Sequence, residues 1–296
     1  MVGTALAAAA CVGLAPSASA GVSGVAFGSL VASRGTETFA QAVARQDAAY
    51  GTMPISRVFY NNGGPEAWPG KAGLSGRSVV VSFKYAPSLV LTGQYDAALT
   101  NFFATAPTDR EVYWSYIHEP EDNIANGEFT SADYRTAWQR VADLAKAAAS
   151  TNVHLHATLI LMCYTLNPAS GLDWHNYYVP TAQTMFAFDC YNHAGKTGGY
   201  GSPASIFKPL TDWSAANPTI PWGVSEFGSV LVPSDLDGSL RAAWLRSVGT
   251  FLVDQHADPR HAIFGIYYDT VGPKGTDYRL VDANSQAAWR EVVQTY

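Results

Sequence analysis

The chain has few charges. Asp, Glu, Lys and Arg make up 14% of its 296 residues, and the formal net charge is −6. No basic cluster stands out, which argues against nucleic acid or an anionic membrane as partner. No stretch after residue 20 is long and apolar enough to span a bilayer, so no membrane insertion is expected. Cysteine is scarce as well: of three, only Cys163 and Cys190 lie beyond residue 20. The first strand candidate carries no G-x-G-x-x-G, which argues against a dinucleotide-binding open sheet. There is no G-x-S-x-G for serine chemistry. There is no H-E-x-x-H and no second His beside His118, so neither a metal nor another cofactor is expected. Repeats, linkers and charge runs are missing too.

What is present is core-forming material. Hydrophobic residues are 48% of the chain, enough for a large core and too many for disorder. The 8 Trp and 16 Tyr suit sugar stacking and core filling alike. Thr4 to Ala15 is Ala-rich and uncharged, and Ser17-Ala18-Ser19-Ala20 has the small residues of a cleavage site. Residues 1–20 therefore read as a secretory signal peptide, although no Lys or Arg precedes the apolar run; an alanine-rich helix is the alternative. Residues 21–296 are expected to be one extracellular domain and a monomer. Cys163 and Cys190 fall near the ends of apolar runs that read as consecutive strands. Neighbouring strands lie about 4.8 Å apart, so a bridge is geometrically possible. Free thiols are the expectation, because strand packing would already fix both positions.

Short β-branched or aromatic runs alternate with segments of helical spacing. The strand candidates are Val22–Gly28, Ile55–Tyr60, Ser78–Phe83, Glu111–His118, His154–Met162, Met185–Asp189, Pro221–Glu226 and Ala262–Tyr268. Helical spacing marks Phe39 to Tyr50, Tyr95 to Phe103, Ser131 to Ala149, Ser234 to Val253 and Gln286 to Val293. The stretch from Asn61 to Gly70 reads as loop. Eight strands alternating with helices predict an α/β fold, a single-domain (β/α)8 TIM barrel, whose site forms at the C-terminal ends of the strands.

Two glutamates stand at such ends. Glu119 closes the run Trp114 to His118, and Glu226 closes Pro221 to Ser225. A carboxylate beside a buried strand is costly unless something uses it. Two facing carboxyl groups about 5–5.5 Å apart are what a retaining glycosidase needs. Asp189, Tyr191, Arg57, Tyr267 and Tyr268 gather at the same face. Tyr191 would hold the Glu226 charge by donating a hydrogen bond, and an inward Arg57 would favour its ionised form. His118 would position a sugar hydroxyl or orient Glu119. Trp174 reads equally as a sugar platform or a packed loop anchor. Glu121 and Asp122 read as a solvated loop or a sugar contact, and His154 and His156 as structural residues at the start of strand five.

Glutamates at the ends of strands four and seven resemble those of the clan A glycoside hydrolases, the 4/7 superfamily. The resemblance implies Glu119 as acid/base and Glu226 as nucleophile. His118-Glu119, Ser225-Glu226-Phe227-Gly228 and Asp189-Cys190-Tyr191 look most like family 26, which is dominated by β-mannanases. The chain departs from family 26 in Pro120 to Ile124, where a Gly and an aromatic run are usual, and in Tyr267 and Tyr268, where a Trp is usual. The substrate implied is a carbohydrate: a β-linked polysaccharide or oligosaccharide, β-mannan-type or another cell-wall glycan. A non-catalytic glycan-binding or cell-surface barrel is the alternative, because fold alone does not imply activity.

Overall fold

Strand-length apolar runs bury both faces in a parallel barrel, with helices covering the outside. The computed structural model describes residues 23–60, 64, 67–68, 74, 76–257 and 261–296. The proposed signal peptide lies outside the described residues, as does most of the loop expected at 61–70. Eight parallel strands close into one barrel in sequence order: β1 (Ala26–Leu30), β2 (Ile55–Tyr60), β3 (Ser78–Phe83), β4 (Val112–Tyr116), β5 (Leu155–Met162), β6 (Met185–Asn192), β7 (Trp222–Ser229) and β8 (Ala262–Tyr267). β1 pairs with β8 and seals the cylinder.

The helix Ser131–Ala148 shows how sequence becomes packing. Thr130 and Asp133 form a capping box, satisfying donors that the first turn leaves open. Tyr134, Ala137, Trp138, Val141 and Ala145 form its buried stripe at spacings of three and four. Trp138 stacks on Trp114 of β4, with ring centroids 4.8 Å apart.

The helical ring differs from the expected one after four strands: short helices Pro87–Leu91 and Pro120–Ala125, which the spacing did not mark, follow β3 and β4, and the segments after β5 and β6 depart further. After β5 the chain makes short 3₁₀ turns from Cys163 to Asn176, and no α-helix precedes β6 among the described residues. After β6 it forms Ala194–Thr197, Pro203–Ile206 and Lys208–Ala216, none of which the spacing had marked. These pieces are short, and helices of one or two turns carry too few periods to register.

Inside the barrel, side chains two apart along a strand share a face. A separate apolar cluster of Ile55, Val80, Tyr113, Ile160, Met185, Ala187, Phe264 and Ile266 fills its lower part. Two residues further on, the same columns carry Arg57, Ser82, Ser115, Asp189 and Tyr268. The interior therefore changes from apolar to polar along the strands. At the opposite end, His154 Nδ1 lies 2.8 Å from Glu111 Oε1, and His156 Nε2 contacts Glu111 Oε2. That is the stabilising role expected for the two histidines.

Cys163 and Cys190 are joined in a disulfide, with Cα atoms 5.1 Å apart. The free-thiol expectation is thereby corrected. Strand pairing sets β5 beside β6, but Cys163 begins the irregular turn after β5, a segment strand packing alone does not fix.

Candidate active site

β4 ends at Tyr116, earlier than its apolar run suggested. Ile117 and Glu119 then take left-handed backbone angles, each with φ of 48°. For a β-branched residue such as Ile117 this is an outlier, costing about 1–3 kcal/mol. The neighbourhood enforces it. Ile117 N donates to Phe83 O at 2.8 Å, and Glu119 N donates to Ile160 O at 3.0 Å. The Tyr134 hydroxyl donates to Ile117 O at 3.3 Å and itself accepts from Trp138 Nε1 at 2.9 Å. The turn ends the strand while the Glu119 backbone stays bonded to β5, and it sets Glu119 on the wall of the cavities at the barrel mouth.

Glu226 reaches the same mouth by a different device. Val224 pairs with Gly265 and Phe227 with Tyr267, so β7 holds one residue more than β8 across this interval. Against β6, Val224 pairs with Phe188 and Glu226 with Asp189, which makes Ser225 the extra residue. Such a bulge re-aims side chains beside a site. Ser225 Oγ donates to Asp189 Oδ1 at 2.6 Å, and Glu226 stands one step further toward the opening.

Both glutamates line one cleft of about 620 Å³ at the C-terminal end of the barrel. His118, Tyr191 and Tyr268 share it, with Phe59 and Lys84. The Tyr191 hydroxyl donates to Glu226 Oε2 at 2.5 Å. Arg57, the third residue of β2 and fully buried, places Nη2 3.6 Å from Glu226 Oε1, within ion-pair range. Its guanidinium also sits 4.5 Å from the Phe59 ring centroid. The His118 ring packs on Phe59 with centroids 5.0 Å apart. Burial, then Arg57 and Lys84, lower the His118 pKa, so this imidazole is neutral at pH 7.

The two glutamates differ in their partners. Burial, then the charges of Glu226 and Glu121, push the Glu119 carboxyl upward. No side chain donates to it among the described residues. Burial raises Glu226 too, but Arg57 and the Tyr191 hydroxyl oppose the shift directly. Asp189 is raised well above the usual range by burial and by both glutamates. Burial and like charge favour the protonated form of Glu119, whereas Arg57 and Tyr191 favour the charged form of Glu226 against the effect of its burial.

Other expected residues lie elsewhere. Tyr267 is fully buried on the outer face of β8, where its hydroxyl donates to Tyr278 O at 2.7 Å. Strand alternation sends Tyr268 into the cleft and Tyr267 away from it. Trp174 stacks on His175 at 3.8 Å and packs edge-on against Trp213 and Phe186. It lines a separate depression of about 540 Å³. Glu121 is buried, not solvated: it accepts from Met162 N at 3.0 Å and Thr165 Oγ1 at 2.5 Å, tying the helix Pro120–Ala125 to the end of β5. Asp122 is exposed and lines the cleft. The sequence reading missed Lys84, although its place one residue past β3 carries the same strand-end signal as Glu119. It also missed Tyr278, which sits in an irregular loop without pattern. Among the described residues, no three His, Cys, Asp or Glu side chains gather as a metal site, and no helix is long and apolar enough to cross a membrane.

No protein-family model and no curated protein matches the chain. Solved structures do resemble it. One is a Bacteroidetes-affiliated GH5 cellulase, with TM-score 0.57 and 13% identity over 95% of this chain and 92% of that one. Another is GH26C from Muricauda sp., with TM-score 0.58 and 11% identity over 94% of this chain and 86% of that one. A third is a 4-O-α-L-rhamnosyl-β-D-glucuronidase from Fusarium oxysporum, with TM-score 0.53 and 15% identity over 94% of this chain and 71% of that one. At such identities the likeness establishes the fold. The different substrates in these names show that the barrel alone does not choose the sugar.

Proposed function

We propose that this protein is a retaining glycoside hydrolase acting on a β-linked polysaccharide or oligosaccharide, with Glu119 as acid/base and Glu226 as nucleophile. The observation that carries the reading is that the two glutamates line one cleft with opposite support: Glu226 faces Arg57 and Tyr191, whereas Glu119 is half-buried with no side-chain donor among the described residues. In the first step Glu119 gives its proton to the glycosidic oxygen while Glu226 attacks the anomeric carbon. The carbon–oxygen bond breaks, the leaving group departs as an alcohol, and the sugar stays esterified to Glu226. In the second step the Glu119 carboxylate takes a proton from water, whose oxygen displaces Glu226. Two inversions at one carbon retain its configuration.

The test is azide rescue of alanine variants on aryl glycosides. Glu226→Ala with azide should give the inverted glycosyl azide, and Glu119→Ala the retained one. The opposite pattern would exchange the roles, and rescue of neither, with wild-type protein inert on a broad glycan panel, would leave the glycan-binding alternative standing. The disulfide favours an oxidising compartment, in line with export and cleavage near Ala20–Gly21. Mass spectrometry of exported protein should find Gly21 at or near the N-terminus; an intact Met1 would refute it.

A further inference from the structure

Two of the chain's six lysines, Lys84 and Lys274, line the cleft that holds both glutamates. Lys84 follows β3 and is half-buried; Lys274 is exposed in the loop after β8. Among the described residues neither forms an ion pair or a side-chain hydrogen bond; Lys146 and Lys196 form none either, but they are exposed, and Lys84 alone of the described lysines is half-buried. The Lys84 charge acts on Glu119 and Glu226 from a distance, yet its ammonium bonds directly to neither, so its donors remain available to an anion in the cleft.

The walls of the cleft say on which side such an anion would sit. Glu226 lines the first cavity only. Glu119 lines that cavity and also a second one, of about 460 Å³, above the Cys163–Cys190 disulfide. A nucleophile must reach the anomeric carbon, and the acid must reach the oxygen joining that carbon to the leaving group. The first cavity therefore takes the sugar that becomes bound to the enzyme, and the second takes the leaving group. Both lysines line the first and not the second.

The charges in that cavity do not balance without a ligand. Arg57 already faces the Glu226 charge, and Glu119 carries its proton at the start of the reaction. Asp122 is the remaining carboxylate on the wall, and it is exposed. Two ammonium groups against one solvated carboxylate leave a positive excess, inside a chain whose net charge is −6. Resting on the hydrolase reading, we propose that the sugar in the first cavity is anionic, carrying a uronate carboxylate or a sulfate ester that Lys84 and Lys274 receive.

The experiment compares matched substrates differing only in that group: aryl glycosides of a uronic acid, of the corresponding neutral sugar and of its sulfated form, at low and high salt. Wild-type protein should favour an acidic member at least tenfold in kcat/KM, with a preference that shrinks as salt rises. The uronate and sulfate arms identify the anion. Lys84→Met should reduce the acidic-to-neutral ratio tenfold or more. Lys274→Met, at an exposed position that leaves folding intact, should reduce it less. Equal treatment of all members, or a ratio unchanged in both variants, overturns the inference and leaves the hydrolase reading untouched. No turnover of any glycan overturns the hydrolase reading instead. Binding by calorimetry then decides the inference: salt-sensitive, Lys84-dependent affinity for the acidic member keeps it, and equal or absent binding ends it.

Discussion

Two groups of wholly or partly buried carboxylates lie at the same end of this barrel, and they are built in opposite ways. Asp269, just past β8, is fully buried and saturated. Its Oδ1 accepts from Arg34 Nη2 and Leu280 N, each at 3.0 Å, and its Oδ2 from Tyr50 at 3.0 Å and Gln46 at 3.2 Å. These donors come from the segment after β1, the helix Phe39–Tyr50 and the chain leading to the last helix, so Asp269 ties three pieces together. The cluster of Glu119, Asp189 and Glu226 is undersupplied. Asp189 Oδ2 and all three Arg57 nitrogens lack a hydrogen-bond partner among the described residues. Burial raises the pKa of Asp269 and of the cluster alike, so the direction of shift does not separate them. The number of donors does. A saturated carboxylate holds structure, and an undersupplied one beside a cleft is available for chemistry.

Substitutions test that contrast. Glu226→Gln should lower turnover by roughly 10⁴-fold or more, the scale of losing a covalent nucleophile. Its unfolding midpoint in denaturant should move much less than that of an Asp269 variant, because the amide oxygen still accepts from Tyr191 and still stands opposite Arg57. A clear drop in stability would put Glu226 in the same class as Asp269 and break the comparison. Asp269→Ala should do the reverse, costing about 3–5 kcal/mol by chemical denaturation because Arg34, Gln46 and Tyr50 lose their acceptor. The pH–activity profile of the remaining folded protein should keep its limbs; shifted limbs would mean that Asp269 belongs to the reaction.

Reducing the Cys163–Cys190 bond should lower stability by about 2–4 kcal/mol. Proteolytic cuts should then appear first in the turns after β5. Cuts elsewhere would show that the bond does not hold this segment. The smallest expected effect concerns Tyr191→Phe. Loss of its hydroxyl removes a donor to ionised Glu226, so that carboxyl rises and the acid limb of kcat/KM moves to higher pH, by about one unit, or 1.4 kcal/mol. The alkaline limb, set by loss of the Glu119 proton, should stay above the range of an ordinary carboxylic acid in both proteins. A limb that moves the opposite way would show Tyr191 to act otherwise than as a donor to the charge.

The barrel was legible because burial on both strand faces and on one helix stripe leaves strong periodic signals. All eight strands fall within or overlap the runs that predicted them. Glu119, Glu226, His118, Tyr191 and Tyr268 were legible as residues at strand ends, and the structure gathers them at one cleft. The burial of Glu121 was not legible, because its partners Met162 and Thr165 lie some forty residues on, and nothing local to Pro120–Asn123 announces them. Nor was the outward turn of Tyr267 beside the inward Tyr268, which depends on the phase of one strand against its neighbours.

By itself, then, the sequence determined the alternating architecture and the chemical types available at the mouth, since both follow from local patterns of apolarity and from residue identity. Only the tertiary structure decided how those types are used. The left-handed turn at Ile117 to Glu119, the extra residue Ser225 in β7, the disulfide at the edge of β5 and the place of Lys84 in the cleft depend on contacts between distant segments. Hydrogen-bond supply and nearby charge set the protonation of each carboxyl, and both are fixed only when strands far apart in sequence close into one ring.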